Sequence, residues 1–262
     1  MQGRRVVVSG GGTGIGKATA MLFARLGAEV AICGRRMERL AASAALIEAA
    51  TGRRILTRAM SIRDPEAVAA FVGEVHDTLG GIDVLVNNAG GQFPQASIDL
   101  TPKGWLSVID TNLNGTWWMM QAAAREWRDR GQPGSIANVV CLVERGSPQV
   151  THTIAARARV IYASKSLALE WAPYNIRVNC LAPGAISTEG FRMYPEEALR
   201  HMATANPMKR ASDAFSMAET LVYMASPAAD LMNGAVMTVD GGMTMWGVGW
   251  PAGRPAYFAG GE

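Results

Sequence analysis

Arg4-Arg5-Val6-Val7-Val8-Ser9-Gly10-Gly11-Gly12-Thr13-Gly14-Ile15-Gly16-Lys17 decides how this chain reads. A β-branched run enters a glycine-rich turn, and Ala18, Met21, Leu22 and Leu26 continue it as a helix. Glycine lets a backbone approach a ligand closely and take positive φ. The free N–H groups and positive dipole of a helix start suit a pyrophosphate. What gives the cluster weight is its place between a first strand and a first helix. The glycines at 10, 14 and 16 read G-x-x-x-G-x-G. No register fits G-x-G-x-x-G, and Gly16-Lys17-Ala18 lacks the Ser or Thr of a P-loop.

Outward from that turn the pattern alternates. Strand-like runs cover 6–9, 30–33, 55–60, 84–87, 136–141, 178–181 and 236–239; helical segments fill about 15–26, 37–50, 65–79, 102–129, 153–172 and 213–225. This predicts an α/β, doubly wound, seven-stranded parallel Rossmann sheet with helices on both faces, as a single domain over 1–262. The stretch 243–262, rich in Gly, Pro, Trp and Tyr, is too apolar for a disordered tail. It is expected to pack near the substrate mouth or a neighbouring subunit.

Composition narrows the function classes. With 49% hydrophobic residues in 262, the chain can bury a substantial core. A net charge of +3 with no basic block argues against nucleic-acid binding. The three cysteines, Cys33, Cys141 and Cys180, have neither metal-ligand spacing nor an even count for disulfides. No apolar run reaches the roughly 18 residues of a membrane span. The first strand leaves no room for a signal peptide, and Ala259-Gly260-Gly261-Glu262 is not a peroxisomal address. The expected location is the cytoplasm.

Ser9-Gly10 through Gly16, Asn87-Asn88-Ala89-Gly90, Thr111-Asn112-Leu113-Asn114-Gly115 and Pro183-Gly184 together resemble the short-chain dehydrogenase/reductase family, from about Arg4 to Gly242. The resemblance implies a nicotinamide cofactor. In a Rossmann unit, an acid at the end of the second strand accepts from the ribose 2′-hydroxyl and repels a 2′-phosphate. Here Val30-Ala31-Ile32-Cys33 runs into Gly34-Arg35-Arg36, with two guanidiniums and no acid. That predicts NADP(H). The resemblance further implies cofactor contacts at Gly10, Thr13, Gly14, Ile15 and Gly16, and at Ser61 and Ile62 beside the adenine, where the family usually has Asp-Val. It adds Asn88, Ala89 and Gly90 along the groove, and Pro183, Gly184, Ile186 and Thr188 near the carboxamide.

The family's ketone chemistry uses a Tyr, a Lys four residues later on the same helix face, and a Ser at the preceding strand end. Tyr162-Ala163-Ser164-Lys165 is Y-x-x-K and out of register. The family's spacing back from Pro183 lands on Arg157, which places Thr153 where the Tyr stands and Cys141 where the Ser stands. Tyr162, five residues past Arg157, lies about 140° around the helix and should face away. Of the usual tetrad, Asn112 survives. Arg157 can serve as a cation at the nicotinamide ribose but is a poor proton donor. Cys141 reads more readily as a small apolar filler than as a nucleophile, Leu142–Pro148 as a solvated turn, and Trp117 to Met120 as core or interface.

One branch of the family lacks this Tyr: the peroxisomal trans-2-enoyl-CoA and 2,4-dienoyl-CoA reductases. The chain is similar to it at Asn87–Phe93, Lys103-Gly104-Trp105, His152–Arg157, Ser166–Trp171, Ser226–Ala229 and Asp240-Gly241-Gly242. This implies NADPH-dependent reduction of a C=C bond conjugated to a carbonyl, in an enoyl thioester, with Asn112, Cys141, Thr153 and Arg157 at the catalytic centre. Two alternatives stay open. The fold can have kept NADP(H) binding for a non-redox or regulatory role, or Tyr162 can serve a carbonyl reductase. The resemblance also implies a small-molecule substrate and a homotetramer built through the 102–129 and 153–172 helices.

Overall fold

Val6 and Val8 face one side of a sheet and Val7 the other, and all three are fully buried. A strand like β1 (Arg5–Ser9) needs helices on both faces. The computed structural model describes residues 1–189 and 196–246. It sets β1 in a sheet with β2 (Glu29–Gly34), β3 (Ile55–Ala59), β4 (Val84–Asn87), β5 (Gly134–Val139), β6 (Ile176–Pro183) and β9 (Val236–Val239). The order is β3-β2-β1-β4-β5-β6-β9, and every pairing is parallel. Val6 lies between Val30 and Val84. The strand order therefore reverses between β1 and β4, which opens a crevice at their carboxyl ends.

One face is covered by α1 (Gly14–Arg25), α2 (Met37–Thr51) and α8 (Ala214–Ala225), through Phe23, Ile47 and Leu221. The other is covered by α3 (Pro65–Leu79), α5 (Thr116–Arg130) and α6 (Thr151–Glu170), through Phe71, Met119, Trp127 and Leu167. Each large buried side chain of this kind contributes about 1.5–3 kcal/mol. Local signals set the ends. Asp64 caps α3 by accepting from Glu66 N and Ala67 N, Pro65 starts it, and Gly80 ends it at φ 78°.

The structure corrects some boundaries. The expected single helix 102–129 is α4 (Pro102–Ile109), a π-helical stretch Asp110–Gly115, and then α5. β5 ends at Val139, so Cys141 lies in the loop beyond it. The sequence pattern did not show α7 (Glu196–Thr204) or the two-residue strands β7 (Ile186–Ser187) and β8 (Ser212–Asp213), which pair in parallel. Two residues carry no periodicity to read. Most of the 243–262 stretch lies outside the described residues. Its start, Met243–Trp246, forms a turn in which the Trp246 carbonyl accepts from Arg145 and Lys209 Nζ stands 5.5 Å from the indole ring centre. Among the described residues no helix is long and apolar enough to cross a membrane.

Candidate active site

The crevice is built by the ends of β1 and β4. Ser9 Oγ accepts from Asn88 N and Ala89 N, both at 3.1 Å. The Asn88 side chain returns the tie, donating to the carbonyls of Ser9 and Gly10 at 3.2 Å. Gly10 sits at φ 72° against Ala89. A Cβ on Gly16 would come within 2.3 Å of the Gly10 carbonyl oxygen and 2.4 Å of Asn88 Nδ2. The glycine turn therefore presses α1 onto the strand ends, and Thr13 starts the helix without using its own side chain as a cap. Its hydroxyl is left to the groove.

That groove is a cavity of about 370 Å³. Gly10, Thr13, Gly14, Ile15, Arg35, Arg36, Ser61, Ile62, Asn88, Ala89, Gly90, Pro183, Gly184, Ile186 and Thr188 all line it. Gly16 lies behind the turn as packing, and Arg157 lies deeper than the groove wall. Arg39 on α2 and Arg63 also line it, which the sequence reading missed. Arg39 lies in the first turn of α2, just past Arg35 and Arg36, and extending the basic run beyond β2 would have found it. Three exposed guanidiniums, Arg35, Arg36 and Arg39, thus face the end of β2. The residues present fit a dinucleotide that carries an extra phosphate.

Glu189, also unforeseen, stands at the start of α1. Its carboxylate accepts from Gly14 N at 2.9 Å and from Lys17 Nζ at 2.7 Å. The Lys17 bond, with backbone donors, holds the carboxyl down at about 2. This ties the segment carrying Thr188 to the glycine turn.

Asn112 and Arg157 occupy the inner end. Asn112 is buried in the π stretch and clamps the backbone of Gly91, accepting from its N–H at 2.9 Å and donating to its carbonyl at 3.0 Å. The Asn112 carbonyl accepts from two side chains, Thr116 Oγ1 at 3.0 Å and Arg157 Nη1 at 3.4 Å. Arg157 Nη2 also reaches the Ala89 carbonyl at 3.5 Å. A Cβ on Gly90 would lie 2.1 Å from that Nη2. Burial pushes the guanidinium down to about 10, with the Cys141 and Cys180 thiols pulling the other way. It stays a cation at neutral pH.

Burial raises the Cys141 thiol to about 11, against the pull of Arg157. At neutral pH it is a thiol and not the thiolate that nucleophilic chemistry needs. Thr153 is buried on the first turn of α6, next to the fully buried His152. Tyr162 is 70% exposed, with Lys165 Nζ 5.0 Å from its ring centre. The Y-x-x-K pair is a surface cation–π contact, away from Asn112 and Arg157.

Known proteins agree with this architecture. The family described as "Enoyl-(Acyl carrier protein) reductase" matches residues 10–244. The peroxisomal 2,4-dienoyl-CoA reductase of Pongo abelii is 38% identical over 240 residues, covering 90% of this chain and 82% of that protein. A Bacillus subtilis protein named "Probable 2,4-dienoyl-CoA reductase" is 35% identical over 92% of this chain and 97% of its own length. The crystal structure of a short-chain dehydrogenase from Bacillus anthracis superposes with a TM-score of 0.84, at 37% identity, covering 92% of this chain and 96% of that one. The sheet order, the glycine turn and these matches agree: the chain belongs to the short-chain dehydrogenase/reductase family of oxidoreductases.

Proposed function

We propose that this protein uses NADPH to reduce a carbon–carbon double bond conjugated to a thioester carbonyl. One observation carries the reading. On α6, Thr153 and Arg157 are buried at the positions that the family resemblance gives to the Tyr and Lys of ketone reduction, and the groove lies alongside. Relatives named as dienoyl-CoA reductases support the substrate class.

When bound, NADPH supplies a hydride. The rest falls to the chain. Gly10, Thr13 and Ile15 would cradle the diphosphate beside the α1 start, where the Gly14 N–H is taken by Glu189, and Arg35 and Arg36 would hold the 2′-phosphate. Ser61 and Ile62, which line the groove, would border the adenine. Asn88, Ala89 and Gly90 form the groove wall, and Pro183, Gly184, Ile186 and Thr188 meet the carboxamide end. Arg157 braces the groove wall from behind Gly90 and would lend positive charge toward the nicotinamide ribose. Asn112 keeps Gly91 in place and is a positioning residue. Hydride arriving at the far carbon of the conjugated system moves an electron pair onto the thioester oxygen, which needs hydrogen-bond donors more than an acid. Thr153 supplies one. Water protonates the carbon chain. The working form is a homotetramer in the cytoplasm.

The test is NADPH oxidation, followed by absorbance, against 2-enoyl and 2,4-dienoyl thioesters, free enones and saturated ketones. Turnover confined to conjugated substrates is expected. Turnover of saturated ketones alone would overturn the reading, and tight NADPH binding without oxidation would favour a non-redox role.

A further inference from the structure

Thr153 has a neighbour the mechanism has not used. His152 is fully buried, and its imidazole meets the Phe93 ring edge-on, with centroids 4.7 Å apart and planes at 80°. Phe93 follows Gly90 and Gly91 on the loop leaving β4, the segment that Asn112 and Arg157 pin. The imidazole thus packs against the loop that continues from the groove wall at Gly90. His152 Nδ1 accepts the Thr153 N–H at 2.9 Å and lies 3.5 Å from Thr153 Oγ1. An imidazole accepting at Nδ1 is neutral and carries its proton on Nε2. Among the described residues that Nε2 has no hydrogen-bond partner, and it is shut off from solvent.

A buried donor left unpaired costs about 1–3 kcal/mol, and native structures hold few of them. Here the unpaired donor stands one imidazole away from the hydroxyl at the position of the missing Tyr. Its tautomer is fixed by the backbone of that same residue. Such a donor is prepared for an acceptor that arrives with a ligand. A thioester oxygen gaining negative charge is an acceptor of that kind, and a neutral imidazole N–H is an established type of oxyanion donor.

We propose that His152 is a further catalytic residue, whose Nε2–H donates to the carbonyl oxygen of the acyl thioester as charge develops there. The proposal rests on the enoyl-reduction reading above and deepens it. An acyl chain lying along the Phe93 loop would bring its carbonyl to Nε2, and Thr153 Oγ1 would supply a second bond from beside it.

Two variants separate the imidazole's jobs. His152→Asn keeps an acceptor near Nδ1 for the Thr153 N–H but cannot reach the Nε2 position. His152→Gln places an N–H near Nε2. The expected result is unchanged NADPH affinity in both. In His152→Asn, kcat on an enoyl thioester falls about 10²–10³-fold, and His152→Gln recovers at least tenfold of the loss. Wild-type kcat in His152→Asn would overturn the proposal.

A second readout does not depend on turnover. The chain has three histidines, His76, His152 and His201, so ¹⁵N-histidine labelling gives a resolvable imidazole spectrum. Adding butyryl-CoA to the NADP⁺ complex should move the His152 Nε2–H proton downfield. An unmoved resonance with thioester bound overturns the donor, whatever the activity. A moved resonance in a protein that oxidises no NADPH overturns the reaction and leaves the donor standing. Failure to bind butyryl-CoA at millimolar concentration overturns both.

Discussion

Asn112→Ala is the substitution whose consequences follow most directly from the geometry. The side chain makes two buried hydrogen bonds to one residue, at 2.9 Å from Gly91 N and 3.0 Å to Gly91 O. Truncation removes both and leaves two backbone groups of the β4 loop without partners. At a net of about 0.5–1.5 kcal/mol per bond the loss is about 2 kcal/mol. For a chain of this length that corresponds to a fall in Tm of about 4–8 °C. Gly90 is on the groove wall next to the clamp. Loosening it should also weaken NADPH binding about tenfold, roughly 1.4 kcal/mol. The assay pairs thermal unfolding with NADPH titration. Asn114→Ala is the control: Asn114 bonds Asp110 Oδ1 within the same π stretch and does not touch Gly91. It should cost less stability and leave NADPH affinity alone. An Asn112→Ala protein with wild-type Tm and wild-type affinity would refute the clamp.

Arg35→Ala and Arg36→Ala should each weaken NADPH binding about tenfold or more while changing NADH binding little, because exposed guanidiniums act on the 2′-phosphate alone; parallel titrations with both cofactors check this. Tyr162→Phe should leave kcat within about twofold of wild type, since the ring is 70% exposed on the outer face of α6; a collapse in rate would restore a carbonyl-reductase mechanism. Glu189→Gln should lower Tm at neutral pH. Because the folded carboxyl is held at about 2, below its ordinary 4.5, the stabilisation is present above 4.5 and fades as pH falls toward 2. Unfolding curves of wild type and variant should therefore converge on acidification.

Strand and helix alternation, read from runs such as Val6–Ser9 and Val84–Asn87, carried the sheet, because parallel strands buried on both faces leave long apolar runs. The groove was legible for a related reason. Its lining comes from turns at fixed strand ends, where Gly10, Asn88 and Gly184 sit at recognisable offsets. Register in α6 was also readable, since helix geometry alone turned Tyr162 away from Arg157.

What stayed hidden depended on contacts far apart in sequence or on backbone detail. The π turn at Asn112 interrupts an apolar pattern that fits an unbroken helix. Glu189 meets Gly14 across 175 residues, a pairing that no local pattern encodes. The Nδ1 bond of His152, its neighbour Phe93 and its unpaired Nε2 are matters of side-chain placement that no residue spacing encodes. Cys141 was placed at a strand end, but its protonation follows from burial beside Arg157, which only the fold supplies.

The most direct test of the central claim is where the transferred hydrogen goes. NADPH deuterated at the transferring position of the nicotinamide would be incubated with a 2,4-dienoyl thioester, and the product analysed by mass spectrometry and NMR. One deuterium on a former double-bond carbon, with the thioester intact and the conjugated absorbance reduced, is the predicted result. Deuterium on a hydroxyl-bearing carbon, or none in the acyl chain despite bound cofactor, would contradict it.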